Sequence, residues 1–150
     1  MLPIKKILCP TDFSDPSYKA VTAASELAKH FSAELIVIHV VPPVPGLDVD
    51  FMTSTDFDVT GYQNEIERYA EQDLQKEILK IPNEGLRIRS KLLTGKPADQ
   101  IVQFAKDEKV DLIVIATHGR TGLNHLVFGS VAEKVVRLAG HPVLTIRAFE

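Results

Sequence analysis

The apolar positions along the chain follow two rhythms. Ile4 to Cys9 is a short apolar run, partly β-branched, and predicts a strand ending at Pro10-Thr11-Asp12. Ser14-Asp15-Pro16 reads as a helix start: a side chain able to cap, then a proline whose missing N–H costs nothing in a first turn. Beyond it, Ala20, Val21, Ala24, Leu27, Ala28 and Phe31 recur at helical spacing and predict one buried helix face. Glu34 to Val41 is near-continuously apolar, interrupted by His39, and suits a strand covered on both faces. Pro42 to Gly61 breaks the rhythm with prolines, glycines and short polar residues, and predicts a long surface loop.

Helical spacing resumes at Ile66, Tyr69, Ala70, Leu74, Ile78 and Ile81, and Pro82 to Gly85 stops it. Leu86 to Leu93 then alternates, with Arg87, Arg89 and Lys91 on one face and Leu86, Ile88 and Leu92 on the other. This is the pattern of an edge strand whose charges discourage pairing with another chain. Pro97 opens a third helix with Ile101, Val102 and Ala105 as its buried stripe, and Val110 to Ala116 is a further apolar strand. Thr117 to Gly129 is a loop. Ser130-Val131-Ala132-Glu133 matches a capping box, in which the Ser and Glu side chains satisfy each other's backbone N–H groups. Val131, Val135, Leu138 and Ala139 would face inward, Gly140 would end the helix, and Pro142 to Arg147 is the last strand.

Strands alternating with helices predict one α/β domain over residues 1–150. The expected architecture is doubly wound: a mainly parallel, five-stranded sheet with four helices. In such sheets ligands bind beyond the carboxyl ends of the strands, where the strand order reverses. Pro10-Thr11-Asp12, Val40-Val41 and Ala116 to Ser130 should meet there.

Composition narrows the function classes. The 150 residues are 45% apolar and 25% charged, as in ordinary globular proteins, and can bury a core without a disulfide or a structural metal. A formal net charge of −3 argues against nucleic acid as a partner, since phosphate neutralisation needs a Lys/Arg surplus. Cys9, the single cysteine, lies in an apolar stretch and reads as a buried reduced thiol. No Cys/His spacing resembles a zinc site. The first residues lack the apolar run of a signal peptide, and no stretch reaches the ~20 apolar residues of a membrane helix. The expectation is a cytoplasmic protein without a membrane partner.

The candidate chemistry lies at the strand ends. Thr117-His118-Gly119-Arg120-Thr121-Gly122 follows a strand and Gly129-Ser130 opens a helix. Glycines allow close backbone approach to an anion, successive N–H groups form an anion nest, and a helix N-terminus adds unpaired donors and a favourable dipole. Ser130 could donate to a phosphate or simply cap its helix; Asp12 could accept from ribose hydroxyls or shape the turn before the first helix. Pro10 and Val40 offer apolar surface to a base, or ordinary packing. Gly95-Lys96 falls short of a P-loop, because Pro97 replaces the Ser/Thr and Ser90 the first glycine. No G-x-G-x-x-G follows the first strand. His39 reads as a satisfied core histidine, His118 as a loop-shaping residue or anion contact, and His30, His125 and His141 show no metal-like grouping.

The chain resembles the universal stress protein family over nearly its whole length. The likeness rests on Ile7 to Ser14, on His39-Val40, and on Ala116-Thr117-His118-Gly119 through Gly129-Ser130 to Pro142-Val143-Leu144. The family's nucleotide-binding branch carries Gly, two residues, Gly, nine residues, then Gly-Ser or Gly-Thr. Gly119 and Gly129-Ser130 fit, and Ala116 replaces the first glycine. An alanine there costs about 1 kcal/mol if the position requires φ > 0, and nothing if it requires only a small side chain.

By that resemblance Asp12 would hold the ribose, and Pro10, Thr11 and Val40 would line the adenine pocket. Gly119, Gly129, Ser130 and Val131 would hold the phosphates of ATP or another adenine nucleotide, accompanied by Mg²⁺ or Mn²⁺. A homodimer through the last strand, Val143 to Arg147, is implied as well. The leading reading is a nucleotide-binding stress-response or regulatory module. The alternatives are a weak ATPase or autophosphorylating enzyme, with Ser130 as one acceptor, and a nucleotide-free dimeric interaction protein. No general base stands out beside a nucleophile, so no catalytic residue is assigned.

Overall fold

The computed structural model describes residues 3–44, 58–119 and 129–147. Five strands and four helices alternate: β1 (Lys6–Pro10), α1 (Asp15–Phe31), β2 (Glu34–Val41), α2 (Val59–Leu79), β3 (Arg87–Thr94), α3 (Pro97–Glu108), β4 (Leu112–Ala116), α4 (Ser130–Leu138) and β5 (Val143–Ile146). The sheet order is β3-β2-β1-β4-β5 and every pairing is parallel. The doubly wound α/β architecture expected from the alternation is therefore the one formed.

Parallel strands buried on both faces need apolar residues of both parities. β1 and β2 supply them. Ile7, Cys9, Leu35 and Val37 join the cluster under α1 and α2, whereas Leu8, Ile36 and Ile38 join the one under α3 and α4. β3 sits at an edge and keeps its charged face, Arg87, Arg89 and Lys91, exposed.

α1 starts where its cap predicts. Ser14 is the N-cap, its hydroxyl accepting from Ser17 N–H at 3.4 Å, and Ser32 ends the helix in the left-handed conformation. Ala20, Ala24 and Ala28 are fully buried, and these small side chains let the helix lie close on the sheet. Phe31, expected on the buried face, is 37% exposed at the helix end.

Other expectations change. α2 begins at Val59, because Asp58 caps it by accepting from Gly61 N–H at 2.9 Å. Val59 to Gly61 is therefore helix, not loop; 45–57 lies outside the described residues. The buried stripe of α2 is Ala70, Leu74 and Glu77, and Tyr69 is 55% exposed. In α4 the capping box does not form: Gly129 is the N-cap, Ser130 is the first helical residue, and Glu133 pairs with Arg137 at 3.0 Å. Val135 is buried as expected, Leu138 is 46% exposed, and the helix ends at Leu138 with Ala139 as its C-cap in extended conformation and Gly140 next to it.

Candidate functional site

The order β3-β2-β1-β4-β5 places the topological switch between β1 and β4. A cavity of about 320 Å³ opens there, lined by Thr11 and Asp12 after β1, Val40 in β2, Ala116 to Gly119 after β4, and Gly129 to Ala132 at the start of α4. Parts of all three expected segments meet there; 120–128 of the loop after β4 lies outside the described residues. The volume suits a small ligand, at the lower end of the ~300–1,000 Å³ usual for such pockets. Pro97 and Ile101 close the α3 side, a residue pair that the strand-end rule did not anticipate because α3 follows β3.

One wall is apolar. Val40, Ile101, Ile115 and Ala132 border the cavity and are otherwise buried. Pro10 is buried at the end of β1 and is not among the lining residues.

The opposite rim is the β1–α1 turn. Asp12 Oδ1 accepts from Ser14 N–H at 3.0 Å and from the Ser14 hydroxyl. Asp12 Oδ2 lies on the side of Gly119, so near that a Cβ added to Gly119 would collide with it. A side chain at position 119 would have to displace the Asp12 carboxylate. Phe13 adopts φ 67°, a left-handed conformation that costs a bulky residue about 1–2 kcal/mol. Two contacts hold it there: Phe13 N–H donates to Thr11 Oγ1 at 3.1 Å, and its ring lies 4.3 Å from that of His39. His39 in turn places Nδ1 2.7 Å from the Thr11 carbonyl, the satisfied histidine that its strand position implied.

The third side is the start of α4. Gly129 N–H donates to the Thr117 carbonyl, and a Cβ on Gly129 would stand 3.1 Å from that oxygen. Among the described residues no side chain caps the helix. Its first N–H groups have no acceptor within the helix and, with the dipole, favour an anion. Ser130 is exposed and Val131 half-buried, both at the cavity. Ala116 pairs in the sheet with Ile146 and is not among the positive-φ residues, so its methyl group brings no backbone strain. His118 Nδ1 is 2.9 Å from Thr117 Oγ1.

This switch-point cavity belongs to a chain whose residues 3–147 match the universal stress protein family. The chain is a member of that family. It is 39% identical over 144 residues to universal stress protein MJ0531 of Methanocaldococcus jannaschii, covering 95% of this chain and 82% of that protein. The solved structure of MJ0577 superposes with a TM-score of 0.79 at 28% identity, covering 98% of each chain. A universal stress protein of Archaeoglobus fulgidus in complex with dAMP shares the fold, with a TM-score of 0.65 at 24% identity over 97% of this chain and 99% of the other.

This universal stress protein also carries a polar cluster that the sequence reading missed. Glu77 of α2 is only 5% exposed, and its Oε1 lies 2.7 Å from Thr11 Oγ1. Burial pushes its carboxyl above the ordinary glutamate range; the Thr11 hydrogen bond and Lys80 pull the other way, and Asp12 adds to the rise. A signal existed in the sequence: Ala70, Leu74, Glu77 and Ile81 share one helical stripe, with a carboxylate at a core position. Cys9 is fully buried, and burial raises its thiol far above the reactive range, in keeping with the reading of an inert core cysteine. Among the described residues no cluster of acidic, His or Cys side chains could hold a metal, and no helix is long and apolar enough to cross a membrane.

Proposed function

We propose that this chain binds an adenine nucleotide at the switch-point cavity and acts as a regulatory module. The observation that carries this reading is the convergence, around one cavity, of an apolar wall, the Asp12 carboxylate and the N-terminus of α4. The base would lie against Val40, with Ile101 and Ile115 excluding water. Ribose hydroxyls would donate to Asp12. The phosphates would accept from the backbone at Gly119, Gly129, Ser130 and Val131 and from the Ser130 hydroxyl. The described residues offer no metal cluster, so Mg²⁺ or Mn²⁺ would be held mainly by phosphate oxygens and water. The dAMP complex of the Archaeoglobus fulgidus protein supports a nucleotide as ligand of the shared fold.

β5 is an edge strand and its Leu144 is exposed, which supports homodimer formation through that edge. The site reading is tested by thermal melting. ATP with Mg²⁺ at about a hundredfold over its Kd should raise Tm by about 5 °C, and Asp12→Ala should abolish the rise. Indifference of the unsubstituted protein to millimolar ATP would overturn it. Mass analysis of nucleotide released on denaturation identifies the base and the phosphate count.

A further inference from the structure

Under the Thr11–Asp12 rim, hydroxyl groups form a chain that reaches Glu77. Thr11 Oγ1 lies 2.7 Å from Glu77 Oε1 and 3.0 Å from Ser17 Oγ; Ser17 Oγ lies 3.0 Å from the Ser14 carbonyl. The Ser14 hydroxyl is closest to Asp12 Oδ1, leaving its 3.3 Å approach to Ser17 Oγ as the loosest contact. Backbone N–H groups join at three points, Phe13 to Thr11 Oγ1 at 3.1 Å, Asp12 to Ser17 Oγ at 3.3 Å and Ser17 to Ser14 Oγ at 3.4 Å.

Each hydroxyl has one proton to donate. The Ser14 proton is taken by the Asp12 carboxylate. The Ser14 carbonyl can only accept, and it also takes the Tyr18 N–H at 3.0 Å, so the Ser17 proton serves either that carbonyl or Thr11 Oγ1. Thr11 and Ser17 thus bring two protons to three contacts, and with an ionised Glu77 one contact is left as two facing oxygens without a proton. A protonated Glu77 removes that defect. Its O–H donates to Thr11 Oγ1, Thr11 donates to Ser17, and Ser17 donates to Ser14 O.

We infer that Glu77 holds a carboxyl proton in the folded protein and is the positioning residue of the site, its O–H setting the direction of the chain that fixes the Thr11–Asp12 turn. The turn needs such a hold, because Phe13 sits there in the left-handed region and its N–H is anchored on Thr11 Oγ1. Burial favours the neutral carboxyl. The groups around it are few. Cys9 faces it from β1 and Asp12 from the turn. Lys80 stands on its own helix, with Nζ 5.7 Å from the Tyr18 ring centre of α1. His39 of β2 reaches the Thr11 carbonyl, and Arg87, Arg89 and Lys91 of β3 are exposed to solvent.

The positioning role rests on the nucleotide reading; the proton on Glu77 does not. Two measurements on the full chain separate them. The first is a ¹³C-carboxyl NMR titration without nucleotide, with Glu77→Gln assigning the signal. Glu77 should stay protonated after the exposed glutamates have ionised, and titration near the ordinary 4.5 overturns the inference. The second is ATP·Mg²⁺ affinity. Gln can donate where the carboxyl O–H does, so Glu77→Gln should bind within about twofold of the unsubstituted protein, while Glu77→Met, folded by circular dichroism, should bind about tenfold more weakly. Affinity of the unsubstituted protein should fall with rising pH as the NMR signal of Glu77 ionises, and the Gln variant should not follow it. Equal weakening by Gln and Met, or none by Met, overturns the positioning role. Absence of ATP binding by the unsubstituted protein removes the nucleotide reading and the positioning role together, and leaves the proton to the titration.

Discussion

The two faces of the sheet are built differently. Under α3 and α4, Leu8, Ile36, Ile113 and Val135 are fully buried hydrocarbon. Under α1 and α2 the filling is smaller and mixed. Alanines line α1, and Ser17, Ser25 and Glu77 are buried among them. The cavity opens toward the first face, whose Val40, Ile101 and Ile115 form its apolar wall. The turn that frames its polar rim is held from the second. One face therefore supplies water exclusion and the other supplies orientation. The two needs of a small-molecule site are met on opposite sides of a single strand, β1.

Substitutions can break that division of labour or sharpen it. The largest effect is expected on the hydrocarbon face. Ile113→Ala should lower unfolding free energy by about 3 kcal/mol in urea titration, through lost burial and a cavity that helices on a rigid sheet cannot collapse. ATP affinity of the folded molecules should change little. A comparable loss of affinity would show that the two faces are not separable. Next comes Gly119→Ala. Its methyl group meets the Asp12 carboxylate, so calorimetry should show ATP binding weakened by at least about tenfold, with a much smaller change in Tm.

The pH dependence of stability follows in size. Glu77 has a folded-state pKa raised above its unfolded value, so between the two the folded state binds more protons than the unfolded state. Its stabilising contribution is complete below the unfolded value and is lost as pH rises toward the folded one. Urea midpoints of Glu77→Gln should lack that decline when compared with the unsubstituted protein across the same range. The smallest effect is expected at the opposite end of the sheet, where Arg89 bridges Glu108 at 2.6 Å and Glu34 at 3.2 Å in the open. Arg89→Ala should cost less than about 1 kcal/mol, and less still at high salt.

The fold was legible because its signals are local or periodic. The Ser14 cap, the alternation in β3 and the double-faced runs of β1 and β2 each name their element without knowledge of the others. The meeting of three loops at the switch point was legible too, because strand order and parallel direction together dictate it. What escaped were features decided by a neighbour in space. Ser130-x-x-Glu133 has the right residues for a capping box, yet the Gly129 N–H is drawn to the Thr117 carbonyl and the helix begins one residue earlier than the motif implies. Glu77 was passed over because a glutamate is read as a surface residue until Thr11, 66 positions away, is seen beside it. Pro97 and Ile101 reach the cavity only through the packing of α3 on the sheet.

The pairing of β1 with β4 has a consequence for how the molecule comes into being. Ile7 and Leu8 find Leu112 and Ile113 about a hundred residues later, a closure that is slow compared with local helix formation. During synthesis, the rim made by Thr11 and Asp12 waits for Gly119 and α4, which are made about a hundred residues later. A chain stopped before α4 would carry half of the pocket. An assembled cavity is in this sense a report that β1 and β4 have met, and a nascent chain should acquire it only after α4 has left the ribosome.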